Sequence, residues 1–218
     1  MYKRQVLGGA VVIAVGALGK QVGGPRAGII AAAIAAIYPN LIAADGVLMS
    51  ESLYGLFVAL GLLAALRLRE AGTTRPALAL GLLLGLAALT RTEALGLLLA
   101  LLVVLAVCMK DRRRVLVVTL AAALMLQVPW VVRNTVEFGH PALSHNEAVV
   151  LAGTNCAAVY SGRDIGWYGF LCAAGYRPKG TEAEAAARAR SHGLDYARDH
   201  IGELPGVMAV RLLRVWGL

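Results

Sequence analysis

The stretch YPNLIAADGVLMSE, residues 38–51, lies between two strongly apolar segments. It holds Asp45 and Glu51, the only carboxylates between residue 1 and Glu70. Two acids at a membrane cavity can bind a metal, position a sugar or act as a base. The same residues also fit a purely structural arrangement. Pro39 disfavours helical geometry at Tyr38, and Asp45–Gly46 is a turn signal. Ser50 or Ser52 can cap the next helix, with Glu51 in its first turn, where a negative charge suits the helix dipole.

Three further groupings carry polar chemistry. LTRTEA, residues 89–94, sets Arg91 and Glu93 between two apolar segments. Charges there are costly unless paired, solvated or functional. A guanidinium fork suits a phosphate at a membrane face, and it equally suits an interfacial salt bridge. PWVVRN, residues 129–134, puts Trp130 where an aromatic belt would lie, followed by Arg133 and Asn134. LSHNEAVVLAGTN, residues 143–155, groups Ser144, His145, Asn146, Glu147 and Asn155. His145 and Glu147 lack a diagnostic metal-ligand spacing, so polar donors for a sugar are the better reading. The chain has no P-loop, no G-x-G-x-x-G, no zinc cysteine pattern and no G-x-S-x-G. ATP-driven transport therefore has no support within this chain.

The elements that must position these residues are apolar helices. Hydrophobic residues make up 59% of the 218, against roughly 45–50% in soluble domains, and mean hydropathy is +0.69. Six apolar segments precede the polar region: approximately Val6–Val22, Ala27–Ala43, Ser52–Leu66, Pro76–Leu89, Ala94–Met109 and Val115–Val132. Several are at or below the ~20 residues a spanning helix needs. Short helices are tolerated inside a bundle or where they stop at a cavity, as the pair flanking LTRTE could. The expected fold is all-α, a polytopic membrane helix bundle over residues 6–133.

The net charge of +8 would fit nucleic-acid binding, but the basic residues sit between the apolar segments. The first, third and fifth gaps hold Lys20 and Arg26; Arg67, Arg69 and Arg75; and Lys110, Arg112, Arg113 and Arg114. The second gap has none and the fourth only Arg91, a split of nine to one. Because cytoplasmic loops carry the Lys/Arg excess, the odd gaps are expected to face the cytoplasm. Residues 38–51, the turn near Arg91 and the chain after Trp130 then face the other side, with no nucleic-acid partner. Arg exceeds Lys, and Ala, Gly and Leu abound, which suggests a GC-rich and bacterial coding sequence.

Residues 134–205 read as an extracytoplasmic loop and helix region. Thr181 and Glu184 form a capping-box start to a polar-faced helix over 181–200. Cys156 and Cys172 both fall in this region, where an oxidising compartment would permit a disulfide; two free buried thiols are the alternative. Residues 206–218 read as an amphipathic interfacial helix or the start of a further span. MYKRQ, running directly into an apolar helix, looks like the translated remnant of a sequencing adapter. Residues 1–5 are therefore set aside as non-native, and the chain is expected to be an N-terminally truncated fragment, with a C-terminus that is also cut.

Together these pieces resemble the GT-C glycosyltransferases of the family 39 type. That group includes the dolichyl-phosphate-mannose protein mannosyltransferases and the bacterial lipid A aminoarabinose transferases. The matching runs are GGPRAGIIAAAIAAIYPNLIAADGVLMSESLYGLF, then LGLLLGLAALTRTEALGLLLAL, then PWVVRNTVEFGHPALSHNEAVVLAGTN. The resemblance covers nearly the whole chain from Val6, and its specificity lies in three motifs in order on one membrane face. It implies an enzyme of the plasma (inner) membrane that takes a sugar from a polyprenyl-phosphate-linked donor at the extracytoplasmic side. The acceptor is left open among protein, lipid and glycan. It implies a catalytic base in an acidic loop expected before Val6, and a second acidic site at Asp45 and Glu51. Glu51 is the closer match to that site's (T/S)E element. Arg91 is implied to lie near the donor phosphate with Glu93 beside it, and Arg133, Asn134, His145 and Asn146 to line the substrate cavity. Members differ in their need for a divalent metal such as Mg or Mn, so a metal stays open. The competing function is a transporter or flippase of a lipid-linked substrate, which would favour an inverted repeat; no such symmetry is evident.

Overall fold

The computed structural model describes residues 2–46, 50–109, 113–139, 141, 143–144, 146–174 and 181–217. Every regular element among the described residues is helical. The chain is an all-α membrane helix bundle, as its composition predicts. It divides into two compact units, Met1–Trp130 and Val131–Leu218.

In the first unit each apolar segment forms a helix. α1 runs over Tyr2–Ile37, α2 over Pro39–Gly46, α3 over Glu51–Ala71, α4 over Thr74–Thr90 and α5 over Ala94–Cys108. α6, over Arg113–Phe138, begins in this unit and continues into the second. The stretches Gln5–Ile37, Glu51–Ala71 and Arg113–Glu137 are long and apolar enough to cross a membrane, whereas α4 and α5 are shorter apolar helices. Large apolar side chains stand exposed along the unit, among them Ile13 at 73% and Val107 at 76%, as lipid-facing surface requires.

α1 is two arms folded on each other. Gly24 adopts φ 82°, ψ −176°, a conformation that glycine reaches without steric cost. Pro25 then opens the second arm, where its missing N–H costs nothing. The arms meet at small residues. A Cβ added to Gly28 would lie 2.8 Å from the Gly16 carbonyl oxygen, and one added to Gly19 would lie 2.7 Å from Ala31 Cβ. With no hydrophobic driving force between helices in lipid, such close backbone approach is what holds them. The second arm stops at Tyr38, and Pro39 starts α2, so the segment read as continuous over Ala27–Ala43 is broken one residue before its proline.

α4 is the buried centre of the unit. Ala77, Leu80, Leu84 and Ala87 on it have no exposed surface. They join Ala64, Ala65 and Leu68 of α3, Leu98 and Leu105 of α5, and Val115 and Ala123 of α6 in the core. Gly81 and Gly85, at GxxxG spacing, let α4 touch α6. The Thr119 hydroxyl donates to the Ala77 carbonyl at 3.1 Å, and Gln127 Nε2 donates to the Gly85 carbonyl at 2.9 Å. At the opposite end of α3 from Glu51, Gln21 Nε2 donates to both Glu70 carboxylate oxygens at 2.8 and 2.9 Å. The ends of the unit therefore differ. One carries Gln21, Glu70 and the α3–α4 turn with its arginines; the other carries Glu51 and the α4–α5 turn.

The second unit is a set of short helices: α7 over Asn146–Thr154, α8 over Ala157–Tyr160, α9 over Phe170–Ala174, α10 over Glu182–Asp199 and α11 over Leu204–Val215. α7 packs on α10 through Ala148, Ala152, Ala186 and Ala189, and Glu147 is ion-paired with Arg190 across them. The capping box at the start of α10 is complete, with Glu184 N–H bonded to the Thr181 hydroxyl and Thr181 N–H to Glu184 Oε2. Cys156 and Cys172 form a disulfide that closes the α8–α9 loop. Beneath it, Tyr160 is buried and its hydroxyl donates to Asn155 Oδ1 at 2.8 Å. Burial pushes the Tyr160 phenol above its ordinary pKa, with Arg211 opposing the rise.

Two outcomes test this packing. A Cβ on Gly81 would lie 2.3 Å from the Thr119 carbonyl oxygen, whereas one on Gly55 meets nothing within 4 Å. Gly81→Val is expected to lower stability in detergent thermal unfolding by about 3 kcal/mol. Gly55→Ala should leave it unchanged or raise it by up to about 1 kcal/mol. In the second unit, replacing Cys156 and Cys172 together by serine removes a cross-link of separation 16, worth about 3 kcal/mol. Hydrogen exchange across residues 156–172 should then quicken while exchange in α3 and α4 does not change.

Candidate functional site

The start of α3 and the end of α4 meet because the two helices form an antiparallel hairpin. Gly61 of α3 sits against Leu84 of α4. At the hairpin's open end Ala87, Ala88 and Ala94 are buried, with Tyr54, Phe57 and Val58 of α3 packed against them. These alanines let the α4–α5 turn lie directly on the first turns of α3.

Arg91 leaves the helix there. It is the residue after α4, with extended φ −149°, ψ 123°, and its N–H still bonds the Ala87 carbonyl at 2.8 Å. Thr90 also turns its hydroxyl onto the Ala87 carbonyl at 2.6 Å. Ala94 N–H then bonds the Arg91 carbonyl, so α5 starts directly after the turn Arg91, Thr92, Glu93.

The geometry brings Glu51, Arg91 and Glu93 together. Arg91 Nη1 donates to Glu51 Oε1 at 2.9 Å, and Nη2 lies 3.7 Å from Glu93 Oε1. The Glu51 and Arg91 side chains are 33% and 40% exposed and Glu93 66%, so the first pair is half-buried and the second lies in the open. Each charge also suits its place. Glu51 is the first residue of α3, at the positive end of its dipole, and Arg91 follows the negative end of α4. Glu51 Oε2 is buried and has no hydrogen-bond partner among the described residues. A carboxylate oxygen in that position is an acceptor site that those residues leave open.

A cleft of about 270 Å³ lies between the two arms of α1, α2 and the start of α3. Its walls are apolar, including Val11, Val12, Ala35, Leu41 and Ile42, with Gln5 and Ser52 as polar edges. Ser52, the one α3 residue among these, follows Glu51 in the chain. Two of these contributions escaped the sequence reading. Tyr54 stands one helical turn after Glu51, and its ring lies 5.9 Å from the Arg91 guanidinium carbon. The i, i+3 spacing was the available signal. Gln5 falls in the stretch that was set aside as non-native.

The other residues singled out by sequence are placed as follows. Asp45 lies on α2, and its side chain is outside what the structure describes. Arg133 and Asn134 belong to the second unit, where Arg133 Nη1 donates to Asn134 Oδ1 at 3.0 Å and Asn134 is buried. Asn146 opens α7, its N–H bonded by the Ser144 hydroxyl at 3.1 Å. His145 lies outside the described residues. Asn155 bonds the Leu151 carbonyl and the Tyr160 hydroxyl, which makes it a brace of the α7–α8 corner. Among the described residues no three His, Cys, Asp or Glu side chains converge as a metal cage.

If the pair is one interacting unit, Glu51→Gln and Arg91→Ala should be non-additive. In detergent unfolding the double variant is expected to lose about 1 kcal/mol less than the two single losses combined. Additive losses would show that the contact carries no coupling.

Residues 3–133 fit the model of the family described as dolichyl-phosphate-mannose-protein mannosyltransferase. No curated protein and no solved structure matches the chain.

Proposed function

Because the chain belongs to the dolichyl-phosphate-mannose-protein mannosyltransferase family, we propose that it moves a sugar from a polyprenyl-phosphate-linked donor to an acceptor hydroxyl at the extracytoplasmic membrane face. Membership makes it an integral membrane glycosyltransferase of the mannosyltransferase kind. The polyprenyl donor and the face are our reading. The observation that carries the reading is the half-buried Glu51–Arg91 pair, with Glu51 Oε2 unpartnered among the described residues, on a helix whose next residue, Ser52, lines an apolar cleft.

The chemistry sets the requirements. The bond from the sugar's anomeric carbon to the phosphate oxygen breaks, and its electron pair leaves with the polyprenyl phosphate. A bond forms from that carbon to the acceptor oxygen, whose proton passes to a base. The leaving phosphate gains negative charge and needs a fixed cation close by. Arg91 supplies it. Its fork, held by Glu51 in the resting protein, turns to the phosphate when the donor arrives. Glu51 keeps Oε2 for a hydroxyl of the sugar or acceptor, and Asp45, six residues earlier, is the second acid of this site. Where a divalent ion such as Mg or Mn accompanies the phosphate, this reading would assign it to the Glu51 and Asp45 carboxylates. The apolar cleft takes the first prenyl carbons. The basic gaps support this face, since the arginine-rich α3–α4 turn lies at the opposite end of the hairpin from Glu51.

The test uses the full-length protein with a radiolabelled polyprenyl-phosphate sugar and native membrane acceptors. Glu51→Gln and Arg91→Ala should each lower transfer by about 10²–10³-fold. Arg91→Lys, which keeps the charge and loses the fork, should fall in between. Full transfer by both of the first two variants would sink the site assignment.

A further inference from the structure

α11 is amphipathic, but its two faces are turned the opposite way from an ordinary surface helix. Its arginines point into the second unit. Arg211 Nη2 donates to the Thr154 carbonyl at the end of α7. Arg214 donates from Nε to the Ile165 carbonyl at 2.7 Å and from Nη2 to the Arg163 carbonyl at 3.1 Å. These carbonyls close α7 and the 3₁₀ turn Gly162–Asp164, and the arginines supply the donors they lack. Val207, on the same side, is buried at 1%.

The apolar side faces out. Met208 is 47% exposed, Leu212 64%, Leu213 50%, and Val215 and Trp216 both 81%. A helix of a water-soluble domain places such residues inward and its arginines outward. Trp167 extends the surface: the Arg214 guanidinium lies 4.9 Å from its ring centroid, which fixes the indole beside the last turns of α11, still 55% exposed.

We propose that this face of α11, with Trp167, is buried in the lipid headgroup and upper acyl region of the bilayer, and so anchors the second unit to the membrane surface. Three observations select lipid as the occupant. The unit begins on α6, whose Arg113–Glu137 stretch is long and apolar enough to cross a membrane, so a bilayer is always within tether range. The surface ends in two tryptophans, the side chains that concentrate at the membrane–water boundary. No acid lies on the outward side of α11, and a carboxylate there would oppose burial among headgroups.

The experiment places an environment-sensitive fluorophore at Leu212→Cys, and separately at Met208→Cys, in the full chain carrying Cys108→Ala. The disulfide stays intact, and the samples are nanodiscs of phosphatidylcholine with and without phosphatidylglycerol. Ser191→Cys on the polar α10 is the control. At both α11 positions nitroxide-bearing lipids are expected to remove most of the emission and aqueous iodide little. At Ser191 the pattern reverses. Quenching by iodide at both α11 positions would overturn the proposal, because the face would be in water. Protection from both quenchers would overturn it too, because protein would cover the face. Two independent label sites keep a single unfolded variant from deciding the result.

Discussion

α4 is a shorter apolar helix, and four of its side chains have no exposed surface. It is a helix surrounded by helices, and the first unit is arranged to keep it so. Gly61 of α3 accepts Leu84, while Gly81 and Gly85 admit the α6 backbone. The hydroxyl of Thr119 and the amide of Gln127 then bond carbonyls of α4 that lipid could never satisfy. Side-chain donors inside a bilayer are worth only about 0.6–2 kcal/mol each. Their value here is geometric, since they fix the height of α4 against α6.

That height decides where the charges fall. α4 ends at Thr90, and Arg91 must find its partner from that point. An arginine at a helix end in a bundle is tolerable when paired and partly wetted, and Arg91 is both. The pair is not fully sealed, so it escapes the large desolvation cost of a deeply buried bridge. It also stays able to exchange partners. A bridge with one carboxylate oxygen used and the other idle is poised between a structural role and a binding role.

Much of this was legible in the residues. The apolar segments fell where the helices are, because continuous apolar runs in a bundle have few alternatives to helix. Pro39 marked the break at Tyr38, and Thr181 with Glu184 marked the start of α10, since these signals act locally. The fold-back of α1 was also marked, by Gly23–Gly24–Pro25, and the apolar segments were divided there. Long-range pairing was less readable. That Arg91 takes Glu51 in preference to Glu93, two residues away, depends on the seating of the α4–α5 turn on Ala87, Ala88 and Ala94. Tyr54 was missed for the same reason: its place depends on Arg91, a distant neighbour in the sequence. The inward turn of Arg211 and Arg214 could not be read either, because a helical pattern gives two faces without saying which one meets the protein.

The distribution of basic residues joins topology to chemistry. Nine of the ten Lys and Arg residues in the gaps between apolar segments fall in alternate gaps, as an orientation signal would have them. In the folded unit Arg67, Arg69 and Arg75 lie together at the α3–α4 turn, away from Glu51. Arg91 is the exception. A residue placed only for orientation would belong with the other nine, and one placed only for packing would be apolar, as its surroundings are. Arg91 is instead held by a carboxylate, over a tyrosine ring. The residue that departs from the orientation pattern is thus the one whose surroundings most resemble a binding site, and its departure is itself an argument that its charge is kept for what it contacts.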